Sequence, residues 1–315
     1  MKIPRAPLPL KPGDPIGIIA PGGRLSDMSR FHSGLAVLRD MGLHPVFPHD
    51  LWPGEEYLAD TDDNRALEFN RLFRDPEIKA LIALRGGYGC LRLLDKFDYG
   101  LTGVHAKMVI GFSDITLLQN DLYQKTGLIS LHGPVVTSLG DLSPKARERF
   151  SLCLGGRWYE PIVDKKIEIL RAGPCLAAPL IGGNLASLLS LLGTPFDFPW
   201  DNVLLFLEDI NEPAYRVDRM LTQLALAGKL DNLSGLILGD FSGVFPEKSA
   251  QQQSYIETIW QRILILCRKT DFPIWGNFPA GHRPHNLTLP LGALAEMQSG
   301  NATLSFPDGR TGYMI

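Results

Sequence analysis

The sequence predicts an α/β protein in two parts, with a parallel sheet in the first half. Three observations carry this. Short apolar runs alternate with amphipathic stretches, several of those runs stop at glycine-rich turns, and the composition favours turn formers. The 315 residues include 32 glycines and 24 prolines, about 18 % together, against an average near 12 %. No fixed period or biased tract accompanies this excess, so it marks turns in a compact chain. A length of 315 fits two domains at roughly 100–200 residues each.

In the first half, residues 16–20 (IGIIA) read as a buried strand closed by Pro21-Gly22-Gly23. Residues 29–41 read as a helix, with Leu35, Leu38 and Met41 on one face and Gly42 as the stop. Residues 45–47 suggest a short strand. Residues 62–73 suggest a helix with a weak face at Leu67, Asn70 and Leu72. A further strand, 78–84, ends at Arg85-Gly86-Gly87-Tyr88-Gly89. A helical stretch at 91–97 precedes the buried strand 107–111, and another helix spans 115–124. Strands separated by helices imply a parallel sheet, whose working residues lie on loops at the carboxyl ends of the strands.

Between Gly155 and Pro174 the pattern changes to Gly-Gly-Arg-Trp and then charge. This segment, 156–174, reads as a linker between a domain at 1–155 and one at 175–315. The second part shows an apolar helix at 185–192, a strand at 203–207 and an amphipathic helix at 214–227. A strand at 235–238, a helix at 255–269 and an alternating tail from 292 to 315 follow. The five tryptophans are scattered singly, as packing residues are, and there is no internal repeat.

Composition also excludes several classes. A net charge of −3 gives no basic face for nucleic acid or an anionic membrane. No apolar run approaches the roughly 20 residues of a membrane span, and residues 1–14 lack the apolar core of a secretory signal. Cys90, Cys153, Cys175 and Cys267 lie far apart without a CxxC pair, which excludes a zinc or disulfide framework. The expectation is a cytoplasmic protein with no nucleic-acid or membrane partner.

Three segments could carry chemistry. Ser113, in Gly111-Phe112-Ser113-Asp114, follows a buried strand and precedes a helix. That is the setting of a nucleophile elbow, although Ile115 stands where the second glycine belongs. Alternatively, Ser113 or Asp114 caps the helix. Glu208-Asp209 ends a run of five apolar residues; it is either an acid poised at a strand end or a solvated, capping pair. His282 lies in Pro-Ala-Gly-His-Arg-Pro-His-Asn, a loop stiffened by prolines. Pro284 separates it from His285 and breaks any helical metal face, and no HExxH occurs. The Gly86-Gly87 turn lacks the third glycine of a dinucleotide fingerprint, and no phosphate-binding GxxxxGK occurs. That turn offers backbone N–H groups to an anion, or is simply a turn. Together, a serine, an acid and a histidine in this order are the ingredients of a Ser–acid–His hydrolase.

APGG near the start, then RGGYG, GFSD, LIGGNL, LFLED with YRVDR, and GHRPHN–LTLPLG resemble the LD-carboxypeptidases, a family of serine peptidases. The resemblance runs from about Gly13 to Met297, with one departure: Gly22 stands where relatives often carry serine. It implies an N-terminal domain with a parallel, Rossmann- or flavodoxin-like sheet and a β-rich α+β C-terminal domain. The active site would lie in the cleft between them. It further implies a metal-free, cofactor-free, cytoplasmic homodimer that releases the terminal D-alanine of a murein tetrapeptide in cell-wall recycling. By motif, the nucleophile maps to Ser113, the acid to Glu208 and the base to His282. Oxyanion donors would then come from Asp114 and from Gly86 or Gly87, and Arg85 would hold a substrate carboxylate or stand as a solvated arginine. Two other readings stay open: a related amidase giving immunity to peptide–nucleotide antibiotics, and a non-catalytic peptide-binding protein. On the main reading, the glycine-rich motifs, LIGGNL included, would line the cleft.

Overall fold

A computed structural model describes residues 2–100, 106–243 and 245–307. In the first half, five strands form: β1 (Pro15–Ile19), β2 (His44–Val46), β3 (Ala80–Ala83), β4 (Met108–Gly111) and β5 (Ser130–His132). All are parallel, in the order β2-β1-β3-β4-β5, the doubly wound order of flavodoxin-like sheets. Helices α1 (Met28–Asp40), α2 (Asp62–Arg74), α3 (Ile115–Thr126) and α4 (Pro144–Leu154) cover it. Alternation in the strands sorts their side chains. Ile16, Ile18, Ala80 and Ile82 share a core with Phe31, Leu35 and Phe150 of α1 and α4. Leu81, Ala83 and Val109 share the other with Phe69, Leu72 and Leu118 of α2 and α3.

Local chemistry sets the helix ends. The Asp27 side chain accepts from Arg30 N–H and that of Thr61 from Asn64 N–H, satisfying N-terminal donors. Gly127, at φ +76°, closes α3. Two expectations change. Leu67 is 65 % exposed, and α2 instead buries Ala66, Phe69, Leu72 and Phe73. The stretch 91–97 holds only a 3₁₀ turn, Cys90–Leu93, entered through Gly89 at φ +141°.

The second half builds an eight-stranded sheet. The elements of this half are β6 (Ile162–Val163), β7 (Glu168–Arg171), β8 (Ala178–Asn184), α5 (Leu185–Leu189), β9 (Leu204–Ile210) and α6 (Ala214–Leu226). Then follow β10 (Gly235–Ser242), α7 (Ala250–Leu266), β11 (Ile274–Gly276), β12 (Leu289–Leu291), β13 (Leu294–Gln298) and β14 (Thr303–Ser305). The strand order is β6-β14-β13-β8-β9-β10-β11-β7. Its middle four strands are parallel and its rims antiparallel. The segment read as a linker supplies β6 and β7, and its Trp158 is buried. The apolar helix at 185–192 shortens to α5. The alternating tail forms β13 and β14, while residues 308–315 of that expectation lie outside those described.

Two features join the halves. Strand β12, from the second half of the chain, is not part of the eight-stranded sheet and pairs antiparallel with β5 at the edge of the first. Strand β8 packs on α3: Asn120 Nδ2 donates to Gly182 O at 2.9 Å, and Asn184 N–H donates to Thr116 Oγ1 at 3.0 Å. Gly182 and Gly183 sit at φ +121° and +134°. A Cβ on Gly183 would lie 2.4 Å from Thr116 Oγ1. LIGGNL is therefore a buried seam, and does not line the cleft as expected. Among the described residues no helix is long and apolar enough to cross a membrane, and the four cysteines are free.

Candidate active site

Strand β4 ends at Gly111 and α3 begins at Ile115, leaving Phe112-Ser113-Asp114 to make the turn. Ser113 adopts φ +64°, a left-handed conformation that costs a non-glycine residue roughly 1–2 kcal/mol. The absent second glycine has a steric explanation. A Cβ on Gly111 would come 2.8 Å from the Ile115 side chain, so the first glycine makes room for the isoleucine. Neither Ser113 nor Asp114 caps α3 through its side chain. Asp114 Oδ2 instead accepts from Cys90 N–H at 2.9 Å. Burial pushes this carboxyl up to about 6, partly offset by the hydrogen bond from Cys90.

The glycine turn after β3 packs directly on this elbow. A Cβ on Gly86 would lie 2.8 Å from Ser113 Cβ and 3.0 Å from Ser113 Oγ. The N–H groups of Gly86, Gly87 and Asp114 donate to no acceptor among the described residues. Gly86 O in turn accepts from Gly23 N–H at 3.0 Å, which couples the APGG loop to the elbow.

Glu208 and His282 come from the second half. Pleating sends the adjacent acids of β9 to opposite faces. Glu208 is fully buried, and its Oε2 lies 2.7 Å from His282 Nδ1. Asp209 caps α5 instead, accepting from Ala186 N–H at 2.9 Å. The His282 loop is pinned on both sides. Gly281, at φ +142°, donates N–H to Asn286 Oδ1 at 3.0 Å, and Arg283 Nε lies 2.9 Å from Asp240 Oδ1. Burial opposes charge on His282, but the Glu208 carboxylate and its hydrogen bond, with Asp209 and Asp240, raise the imidazole above its ordinary value. His285 is occupied elsewhere, at 3.0 Å from Ser143 Oγ and 3.1 Å from Asp164 Oδ2.

Ser113, His282, Arg85, Gly86, Gly87 and Phe112 line one cavity of about 920 Å³. Arg85 Nη1 donates to Arg24 O at 3.1 Å and Ser26 Oγ at 3.0 Å, with no carboxylate partner among the described residues. No cluster of three or more metal-ligating side chains occurs among them either. The arrangement sets a hydroxyl, an imidazole backed by a buried carboxylate, and free N–H donors around one space, the requirements of acyl transfer.

Sequence reasoning missed His132. It is fully buried at the end of β5, with ring centroids 6.0 Å from Phe112 and 4.9 Å from Phe206. The Phe112 ring also packs at 4.7 Å on His282. Burial pulls His132 down to about 4, so it is neutral at pH 7. The only sequence signal is a His-Gly-Pro run after a three-residue strand, too short to stand out.

Two family models match this chain: the LD-carboxypeptidase N-terminal domain over residues 16–133 and the LD-carboxypeptidase C-terminal domain over 177–297. A probable murein peptide carboxypeptidase of Bacillus subtilis is 33 % identical over 301 residues, covering 94 % of this chain and 92 % of that protein. The solved muramoyltetrapeptide carboxypeptidase of Oxalobacter formigenes aligns with a TM-score of 0.73 at 30 % identity, over 92 % of this chain and 97 % of that one. The Escherichia coli microcin C7 self-immunity protein MccF is 27 % identical over 333 residues, 95 % of each chain. A solved MccF chain shares the fold at a TM-score of 0.84, covering 96 % of this chain and 98 % of that one. With both halves matched in order and a third of its residues shared with a near full-length relative, the chain belongs to the LD-carboxypeptidase family.

Proposed function

We propose that this carboxypeptidase is a serine LD-carboxypeptidase that releases the terminal D-alanine of a murein tetrapeptide. The observation that carries the reading is the 2.7 Å contact of His282 Nδ1 with buried Glu208, beside a cavity wall that holds Ser113 in a left-handed conformation. The names of its murein-acting relatives support the substrate class.

In this mechanism Ser113 Oγ attacks the carbonyl carbon of the L–D amide while His282 Nε2 takes its proton. Glu208 fixes the tautomer by accepting from Nδ1–H and stabilises the imidazolium. The carbonyl oxygen becomes an oxyanion facing the N–H groups of Asp114 and Gly86 or Gly87. His282 then protonates the departing amine, so D-alanine leaves and Ser113 carries the acyl group. Water, deprotonated by the same imidazole, hydrolyses that ester and restores the serine. Arg85 pairs with a substrate carboxylate, a role supported by its place on the cavity wall without an acidic partner. The resemblance adds a cytoplasmic homodimer, which sedimentation of the purified protein tests.

Incubation with murein tetrapeptide should release D-alanine, detectable with a D-amino-acid oxidase, and should continue in excess chelator. Ser113→Ala should stay folded and lose about 10⁴-fold or more in kcat. Near-normal turnover by that variant would sink the assignment, and loss of activity to chelator would favour a metallohydrolase.

A further inference from the structure

A second recess opens beside the catalytic cavity, and nothing in the proposed chemistry uses it. It has a volume of about 650 Å³ and shares Ser26, Arg85 and Gly87 with the first. Tyr57 and Tyr88 also line it, 53 % and 48 % exposed, with ring centroids 5.9 Å apart and planes tilted by 50°. Tyr88 follows the Gly86-Gly87 turn against which Ser113 packs. Tyr57 belongs to a short turn tied to the APGG loop: Arg24 N–H donates to Tyr57 O at 3.0 Å, and Ala59 N–H to Gly22 O at 3.1 Å. Arg92 lies beside the Tyr57 hydroxyl and is itself paired with Asp62 at 2.9 Å. Two large rings are thus held at the mouth of a site and left open to solvent.

We propose that Tyr57 and Tyr88 form a subsite for the pyranose sugar carried at the amino end of the stem peptide. The inference rests on the murein-peptidase reading and names the part of the substrate that lies beyond the peptide. A pyranose presents an apolar C–H face and a rim of hydroxyls, so it is matched by an aromatic face bordered by polar groups. The recess supplies both, with Arg24, Glu56 and Arg85 around the rings. The two rings pack on each other at a tilt and leave no parallel slot, which disfavours insertion of a planar base between them. The two spaces are continuous in their lining, since Ser26, Arg85 and Gly87 border both. A stem-peptide carboxylate passing from one to the other would meet Arg85.

The test is binding, so that it does not depend on turnover. Ser113→Ala protein, alone and with Tyr57→Ala, Tyr88→Ala or both, is titrated calorimetrically with tetrapeptide and with the same peptide bearing its N-acetylglucosaminyl–muramyl disaccharide. The sugar-bearing ligand should bind about tenfold more tightly than the free peptide, about 1.4 kcal/mol, and the double alanine variant should lose that advantage. Tyr57→Phe and Tyr88→Phe, which keep the rings, should retain most of it. An equal affinity for the two ligands before substitution, or an advantage unchanged in the double variant, would overturn the subsite. So would Tyr-dependent binding of a nucleoside in place of the sugar. Absence of D-alanine release by the unsubstituted enzyme, with the sugar advantage intact, would instead overturn the catalytic reading alone.

Discussion

Ser113 holds a backbone conformation that disfavours any side chain, and the strain is met by packing between Gly86 and α3. The strain itself is testable apart from catalysis. Glycine adopts this φ freely, whereas alanine keeps the Cβ penalty. Ser113→Gly is therefore expected to be more stable than Ser113→Ala by about 1 kcal/mol, with both inactive; urea melts showing no difference would refute the strained elbow. His282 gives a pH prediction. As the base of the proposed mechanism it must be unprotonated to act, and although burial opposes its charge, Glu208 raises this imidazole above 6.5. The acid limb of kcat/KM should accordingly lie above pH 6.5. Glu208→Gln removes the charge that stabilises the imidazolium, so it should lower the rate by several orders of magnitude and move that limb to lower pH. A limb that stays in place would show that Glu208 does not set the histidine.

Helix α2 shows how an element far from the chemistry supports it. Glu68, largely buried on α2, accepts from Ala20 N–H and Trp52 Nε1, each at 2.9 Å. It thereby anchors the strand end that leads into the APGG loop, whose Gly23 bonds Gly86. Burial pushes the Glu68 carboxyl up to about 7, against those two hydrogen bonds. With the folded value above the unfolded one, the native state binds the extra proton between about pH 4.5 and 7. Stability from this group is present below that window and lost as pH rises through it. Glu68→Gln should therefore gain on the parent by up to about 3 kcal/mol between pH 4.5 and 8. Urea midpoints measured at both pH values check this, and a constant difference would refute it. The periodicity of 62–73 marked this helix but not its buried side. Leu67 and Phe69 are both large and apolar, and only packing against the first sheet selects Phe69.

At the scale of the molecule, Ser113 follows a strand of the first sheet, Glu208 lies in the second, and His282 sits on the connection from β11 of the second to β12 of the first, so the site depends on how the sheets meet. Both hydrophobic cores contain residues of both halves, and the seam runs through Gly182 and Gly183 against α3. Gly183 pairs with Leu207, one residue before Glu208. Gly183→Ala combines a positive φ with a 2.4 Å clash. It is expected to destabilise the fold by at least about 2 kcal/mol and to reduce turnover of the folded fraction. Unchanged urea stability would show that the seam yields.

The alternation of strands and helices, the turn at Ser113 and the fixed loop at His282 were legible from residue spacing, because each depends on neighbours a few positions apart. Which acid of Glu208-Asp209 faces the histidine, and which of His282 and His285 meets it, was not. Pleating fixes only that adjacent acids point apart; the face that is covered, and by which loop, is decided by contacts between distant parts of the chain. The same holds for His132 and for β12, whose partners lie across the seam. The sequence by itself determined the chemistry-bearing residue types and their local frames. Residue spacing alone could not say which of them converge, since register and packing across the two sheets carry no short-range signal; the motif resemblance named Ser113, Glu208 and His282, and the tertiary structure supplied the contact between Glu208 and His282.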